Sequence, residues 1–236
     1  MEYLHRIDPE EMEKIKQLEN RAKKLHLPSQ GLATFSIELF DKKGNLKALY
    51  GDRSRSWVRN KYNLLVNQML GVGGSTSPWD FYGEGGLMNK VYSGGLVNLY
   101  YLTSYSSTTP FCSPAGTTTY GIQIGTSGAA ESIEDYLLGS MIAHGTNAGE
   151  MEYGDTTKAT TWEAGVSKFK CSLIRHCVNN SGGSIGVNEL GLMGYYNYTS
   201  STRQLLQVRD VLASTVNVAH EEQIRVTYNL YSPAYP

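Results

Sequence analysis

From Thr117 to Tyr228 nearly every apolar run is short and bounded by Gly, Asn, Ser or Thr, and several runs alternate with a period of two. Successive side chains of a strand point to opposite faces, so this pattern buries one face of a sheet and wets the other. The runs are Thr117–Gly125, Val166–Val178, Ser184–Gly194, Leu205–Leu212 and Gln223–Tyr231, and Ile224, Val226, Tyr228 and Leu230 alternate most cleanly. Asn179–Gly183 (NNSGG) separates two of them as a turn. The pattern predicts a mainly β protein, an antiparallel β-sandwich that is jelly-roll-like. Met151–Gly154 reads as a short strand, and Gln204–Val208 and Val216–Val218 as a further pair. Phe169, Cys171 and Leu173 are expected to face the core, with Ile174 breaking the alternation as a bulge would. Glu131–Leu138 fits a one- or two-turn helix and an extended edge equally, because Ile133, Leu137 and Leu138 have helical spacing.

The chain upstream is different. Asp8, Pro9 and Glu11 stand as cap, first helical residue and third residue after the cap, which opens a helix. Met12, Ile15, Leu18, Ala22 and Leu25 then recur every three or four residues, and Pro28 ends the element. This stripe suits packing on the chain's own β-domain or insertion into a neighbouring subunit. The organisation expected is a helical arm over 1–30 and a β-sandwich domain over 31–236, with a helix near 54–70 and an insertion over 71–114. Leu32–Phe40 and Leu46–Tyr50 form a hairpin candidate around Asp41–Asn45. Val58, Tyr62, Leu65, Val66 and Met69 give the second helix its apolar face, with Ser54 or Ser56 as its cap. Arg53, Arg55, Arg59 and Lys61 make its start the most basic spot in the chain. In the insertion, Gly-rich pieces alternate with Trp79, Phe81, Tyr82, Tyr92, Tyr100, Tyr101 and Tyr105, and Leu96–Leu102 is a strand candidate. A long loop of this kind generally has a task, here an inter-subunit clasp or a glycan-binding lip.

Composition narrows the function classes. Charged residues are 18% of the chain while Gly numbers 25 and Tyr 17. Tyrosine-rich, charge-poor surfaces suit protein contacts, since the ring buries apolar area and the hydroxyl keeps a partner. Lys+Arg 21 against Asp+Glu 22 gives a net charge of -1, which argues against a nucleic-acid partner. Cys112, Cys171 and Cys177 form no CxxC pair, and the last two would lie about 20 Å apart on a strand, too far for a disulfide. Free thiols suit assembly in a reducing compartment. A basic stretch leading into an apolar run, the mark of a signal peptide, is not seen, nor is a run of about 18 apolar residues that would cross a membrane.

Chemistry-bearing motifs do not stand out. The five histidines, His5, His26, His144, His176 and His220, lack the spacing of a metal site, so no cofactor is expected. His144, with Glu131, Glu134 and Asp135 nearby in sequence, reads best as a local hydrogen-bonding residue. The adjacent carboxylates Glu134–Asp135 and Glu221–Glu222 would lie on opposite sides of a strand, not across a substrate. Glu189 sits inside an apolar run and needs a donor if buried; Arg175 or Arg209 on an adjacent strand is the candidate for this structural buttress. The expectation is a protein without enzymatic activity.

Four segments together resemble a pattern in structural proteins of tailed bacteriophages: Gly125–Thr126; Asp135, Tyr136 and Leu138; Val187, Glu189, Gly191 and Leu192; and Arg209–Leu212. The resemblance covers roughly Gly121–Tyr231. It implies a virion component, assembled in the bacterial host cytoplasm as a homo-oligomeric ring or collar at the head–tail connection or tail, in contact with other virion proteins. Its oligomer interface would then be drawn from Met12, Ile15, Leu18, Leu25, Arg53, Arg55, Arg59, Trp79, Phe81, Tyr82, Tyr92, Tyr100, Tyr101 and Tyr105. The alternative is a receptor- or carbohydrate-binding decoration or fibre-base module, which leaves a surface glycan open as a partner.

Overall fold

In the computed structural model of the chain the described residues are 2–3, 33–54, 57–58, 60–61, 81–83, 86–88, 110–163, 168–198 and 201–231. They are mainly β, with antiparallel sheets. The strands are β1 (Glu2–Tyr3), β2 (Ala33–Phe40), β3 (Leu46–Arg53), β4 (Phe81–Gly83), β5 (Gly86–Met88), β6 (Gly121–Gly125), β7 (Glu152–Glu163), β8 (Lys168–Val178), β9 (Ile185–Tyr198), β10 (Ser201–Val218) and β11 (Gln223–Tyr231). Six form one sheet in the order β1-β3-β2-β11-β8-β7, three form a second in the order β10-β9-β6, and β4-β5 is a separate hairpin. Among the described strands β1 alone, beside β3, pairs in parallel.

Period-two patterning explains the large sheet. In β2, Ala33, Phe35, Ile37 and Leu39 are buried and their neighbours half-buried; in β11, Ile224, Val226 and Tyr228 are buried. These faces meet Ile122 and Ile124 of β6, Leu190 and Leu192 of β9 and Val208, Val216 and Val218 of β10 in one apolar core shared by the two sheets. The β2–β3 turn is set by Asp41, whose Oδ1 accepts the amides of Lys43 and Asn45, both at 2.8 Å. Its backbone carbonyl takes the Gly44 amide at 2.9 Å, and Gly44 has φ +80°, a value glycine adopts without strain. Hydrogen bonds from the Asn45 side chain and then its backbone hold the Asp41 carboxyl below its ordinary value.

Several expectations change here. The strand expected at Met151–Gly154 runs on to Glu163, because it pairs with β8 almost to the end of both. Phe169 does not face the core: the outer half of the β7–β8 ladder extends past it, and Phe169 is 55% exposed beside Trp162. Ile174 marks no bulge either. Arg175 continues the buried odd positions of β8, and the irregularity lies on β7, between Tyr153 and Thr156. Gln204–Val208 and Val216–Val218 are not a pair of strands but two parts of β10, which pairs with β9 and shifts register between Leu206 and Val208 and again between Val211 and Val216. Glu131–Leu138 is neither helix nor strand but turns and loop.

Most of the arm over 1–30, most of the helix near 54–70 and the Leu96–Leu102 strand candidate lie outside the described residues. Asn60 and Lys61 are helical, and Trp57 makes a β-bridge to Val208.

Candidate functional site

The site is built on the face of β9 and β10 that points away from the shared core. Core-facing residues of β9 switch from odd positions (Ile185, Val187) to even ones (Leu190, Leu192). The switch falls opposite the register shift in β10. It leaves Glu189 and Gly191 on the other face, paired with Val211 and Arg209. Glu189 and Arg209 are therefore diagonal neighbours across the ladder, within reach of long side chains.

Both charges are buried, Glu189 at 0% and Arg209 at 3% exposure. Arg209 Nε donates to Glu189 Oε2 at 2.8 Å, and its Nη1 donates to Asp135 Oδ2 at 2.9 Å. The guanidinium also donates to the Ala129 and Ala130 carbonyls at 3.1 and 3.2 Å. Glu189 accepts backbone amides in turn, from Ser140 at 2.7 Å, Gly139 at 3.0 Å and Ser127 at 3.3 Å. Burial alone would lower the Arg209 pKa, but the bonds to Glu189 and Asp135 outweigh it and hold the group above its ordinary value. One buried ion pair thus grips a loop from both of its limbs.

That loop runs from Thr126 to Ser140. The Thr126 amide bonds to the Ser140 carbonyl at 2.8 Å, so its ends are closed on each other, as in an Ω-loop. Asp135 also accepts the Ser132 amide at 2.9 Å, and Glu131 Oε1 accepts the Val211 amide at 2.6 Å. Leu138 is buried against Gly191, where an added Cβ would come within 2.8 Å of its Cδ2. At Gly125 an added Cβ would stand 2.5 Å from Glu189 Oε1 and 2.6 Å from the Ser140 carbonyl oxygen. Both glycines are there for close approach, of a side chain at one and of a charge and backbone at the other. Above this base Ile133 (56% exposed), Tyr136, Leu137 and Met141 face outward. Gly125–Thr126, Asp135–Leu138, Val187–Leu192 and Arg209–Leu212 meet in this node.

Of the two arginines considered as the donor for Glu189, Arg209 is in contact and Arg175 is elsewhere. Arg175 is wholly buried, with its guanidinium 4.7 Å from the centre of the Tyr153 ring. It donates to the carbonyls of Gly154, Ile122 and Thr117 and, more weakly, Pro114, tying the segment before β6 to β8. His144 does not join Glu131, Glu134 and Asp135; its Nδ1 accepts the Tyr153 amide at 3.1 Å. Glu134–Asp135 and Glu221–Glu222 lie in turns, not on a strand. A cavity of about 200 Å³ borders the loop, lined by Phe35, Tyr50, Asp52, Glu131, Asp210 and Ser214 among others. Asp210 in it accepts the Tyr228 hydroxyl at 2.9 Å; burial, then the Asp210 charge, pushes that phenol well above its ordinary pKa.

Among the described residues no group of three or more His, Cys, Asp and Glu is arranged to hold a metal ion, and no helix is long and apolar enough to cross a membrane. Of the interface residues expected from sequence, Arg53 ends β3 and Phe81 and Tyr82 belong to β4. Met12, Ile15, Leu18, Leu25, Arg55, Arg59, Trp79, Tyr92, Tyr100, Tyr101 and Tyr105 lie outside the described residues. The sequence carries no separate signal that Ile133, Tyr136, Leu137 and Met141 face outward: Ile133, Leu137 and Leu138 show helical spacing, and Tyr136 and Leu138 fall in one of the four segments singled out above. Comparison of the chain with protein-family models, curated proteins and solved structures finds no match.

Proposed function

We propose that the chain is a non-enzymatic structural protein that forms a homo-oligomeric ring or collar in a tailed-bacteriophage particle, at the head–tail connection or the tail. In this reading the two sheets make an antiparallel β-sandwich with a helical N-terminal arm, and neighbouring copies and other virion proteins cover its edges. The observation that carries it is the Thr126–Ser140 loop. Two buried charges fix it from beneath while Ile133, Leu137 and Met141 stand exposed above. An apolar patch that is already ordered loses little freedom on docking, which is what a repeated assembly contact requires. The segments resembling phage structural proteins are the ones that build this loop and its anchor.

Light scattering on the purified full-length chain tests the proposal. A single closed oligomer across a wide concentration range is the expected result. A monomer at every concentration sinks self-assembly.

A second reading, a carbohydrate- or receptor-binding module, draws on one observation. Trp162 and Phe169 are 45% and 55% exposed, with ring centroids 4.8 Å apart near the outer end of the β7–β8 ladder. Exposed aromatic rings of this kind can stack on a sugar face. Titration with surface oligosaccharides, followed by tryptophan fluorescence in the chain and in Trp162→Phe, distinguishes it; an unchanged signal removes this reading.

A further inference from the structure

The assembly reading leaves open what covers the loop. Resting on that reading, we propose that the loop surface formed by Ile133, Tyr136, Leu137 and Met141 receives the N-terminal segment Met12–Leu25 of a second copy of this chain.

The first argument is charge. Between Lys90 and Lys158 the sequence has no Lys or Arg, while the loop and the turn that follows it carry Glu131, Glu134, Asp135 and Glu150. Asp135 is held by Arg209 and Glu131 accepts the Val211 amide, and both Glu131 and Glu134 are exposed in the same loop as the apolar residues. The surface is therefore apolar with an acidic border. The N-terminal segment has the complementary pattern. Met12, Ile15, Leu18, Ala22 and Leu25 form its apolar stripe, and over Met12–Leu25 it carries Lys14, Lys16, Arg21, Lys23 and Lys24 against Glu13 and Glu19. Opposite charge at a rim fixes partner and register, with the apolar centre supplying affinity.

The second argument is size. A stable contact between two flat subunit faces engages about 20–30 residues a side. The loop and Met141, which follows it, offer four large side chains within nine residues. That suits one amphipathic helix, which docks through three or four anchors at helical spacing. The third is tethering. The segment is flanked by Glu2–Tyr3 on β3 and by Ala33 at the start of β2, both in the six-stranded sheet, whereas the loop is anchored on the three-stranded sheet. The cavity lined by Phe35, Tyr50 and Glu131 sets this flank beside the loop; under the assembly reading the occupant is the arm of a neighbour, and a chain of such contacts closes into a ring when the rotation between copies allows it.

The test uses full-length chains. Leu18→Cys copies are mixed with Leu137→Cys copies of different mass and treated with a short bismaleimide, with wild type as control for Cys112, Cys171 and Cys177. The expected result is a cross-linked dimer containing one copy of each, formed only in the mixture. Alongside it, Ile133→Glu/Leu137→Glu, which alters exposed positions only, is expected to weaken assembly at least tenfold. If wild type assembles, yet no mixed dimer forms and the glutamate variant assembles normally, this inference is overturned while the assembly reading stands. If a link forms only within single chains carrying both cysteines, the loop is covered by its own arm and the second copy is excluded. A wild type that is monomeric and gives no mixed dimer overturns both.

Discussion

Replacing Arg209 by methionine keeps a long side chain and removes its charge. Glu189, at 0% exposure, would retain the amides of Ser127, Gly139 and Ser140 but lose the guanidinium 2.8 Å away. Removing one partner of a buried pair strands the other charge and costs about 3–5 kcal/mol. The other lost contacts add little, since Asp135 is 22% exposed and Ala129 and Ala130 are exposed, so water takes over their bonds. For a chain of this size the loss corresponds to a melting temperature lower by about 6–20 °C. The double variant Glu189→Leu/Arg209→Met separates two explanations. If the pair were only an ion pair on a sheet face, replacing both members by apolar residues would be close to neutral. Because Glu189 is also the acceptor for the Gly139 and Ser140 amides, the double variant is expected to stay less stable than wild type; bonds to a charged acceptor are worth about 1.5–3 kcal/mol each. Urea denaturation of the wild type, both single variants and the double variant measures this, with hydrogen exchange at Gly139 and Ser140 reporting the loop. Arg209→Met within about 1 kcal/mol of wild type, or a double variant with wild-type stability and protected amides, refutes the reasoning.

Three further outcomes follow from the same geometry. Gly125→Ala is expected to destabilise more than Gly191→Ala in thermal melts: the first places a methyl against a backbone carbonyl and a buried carboxylate, the second against the movable end of Leu138. Overpacking of the second kind costs about 1–3 kcal/mol, and equal losses would contradict the ranking. Tyr228→Phe should cost about 1–3 kcal/mol, because Asp210, 2% exposed, loses the hydroxyl it accepts; unchanged stability in denaturation would show that bond to be idle. Burial pushes the Cys177 thiol up to about 12 from 9.0, so its contribution is complete below pH 9 and is lost as pH rises from there towards 12, where the unfolded chain has released a proton that the folded chain keeps. The expected slope is about 1.4 kcal/mol per pH unit from this group. Cys177→Ala should flatten the decline between pH 9 and 10 in denaturation curves, and an identical decline would rule the thiol out.

Period two made β2 and β11 readable from the sequence, because each has one face in the core and one partly wet, and turn-forming residues marked the β2–β3 and β8–β9 connections. The same rule misread β8 at both ends of its logic. Phe169 looks like a core residue but lies where the ladder has outrun the core, and Ile174 looks like an interruption, yet Arg175 after it keeps the buried face through its bonds to carbonyls. Glu189 was visible as an acid in an apolar run. Its surroundings were not, because the face switch in β9 depends on the shift in a different strand, β10. The loop over it gave a misleading signal, helical spacing at Ile133, Leu137 and Leu138: a segment held by Glu189, Arg209 and closely approaching glycines needs neither periodicity nor helix propensity.

The central place of β11 has a consequence for the order in which the chain is made. β11 pairs with β2 along one edge and β8 along the other, and Arg225 reaches back to Glu38, 187 residues earlier. Until a ribosome has produced β11, the β2–β3 and β7–β8 hairpins are two half-sheets, each with a bare inner edge and an apolar face. The wait is long and the missing contact distant in sequence, conditions that slow folding and expose strands to other chains. With many nascent copies side by side, the slot can be filled by the β11 of a neighbour. Supplying β11 as a separate peptide during refolding would shift the balance between folding within a chain and exchange between chains.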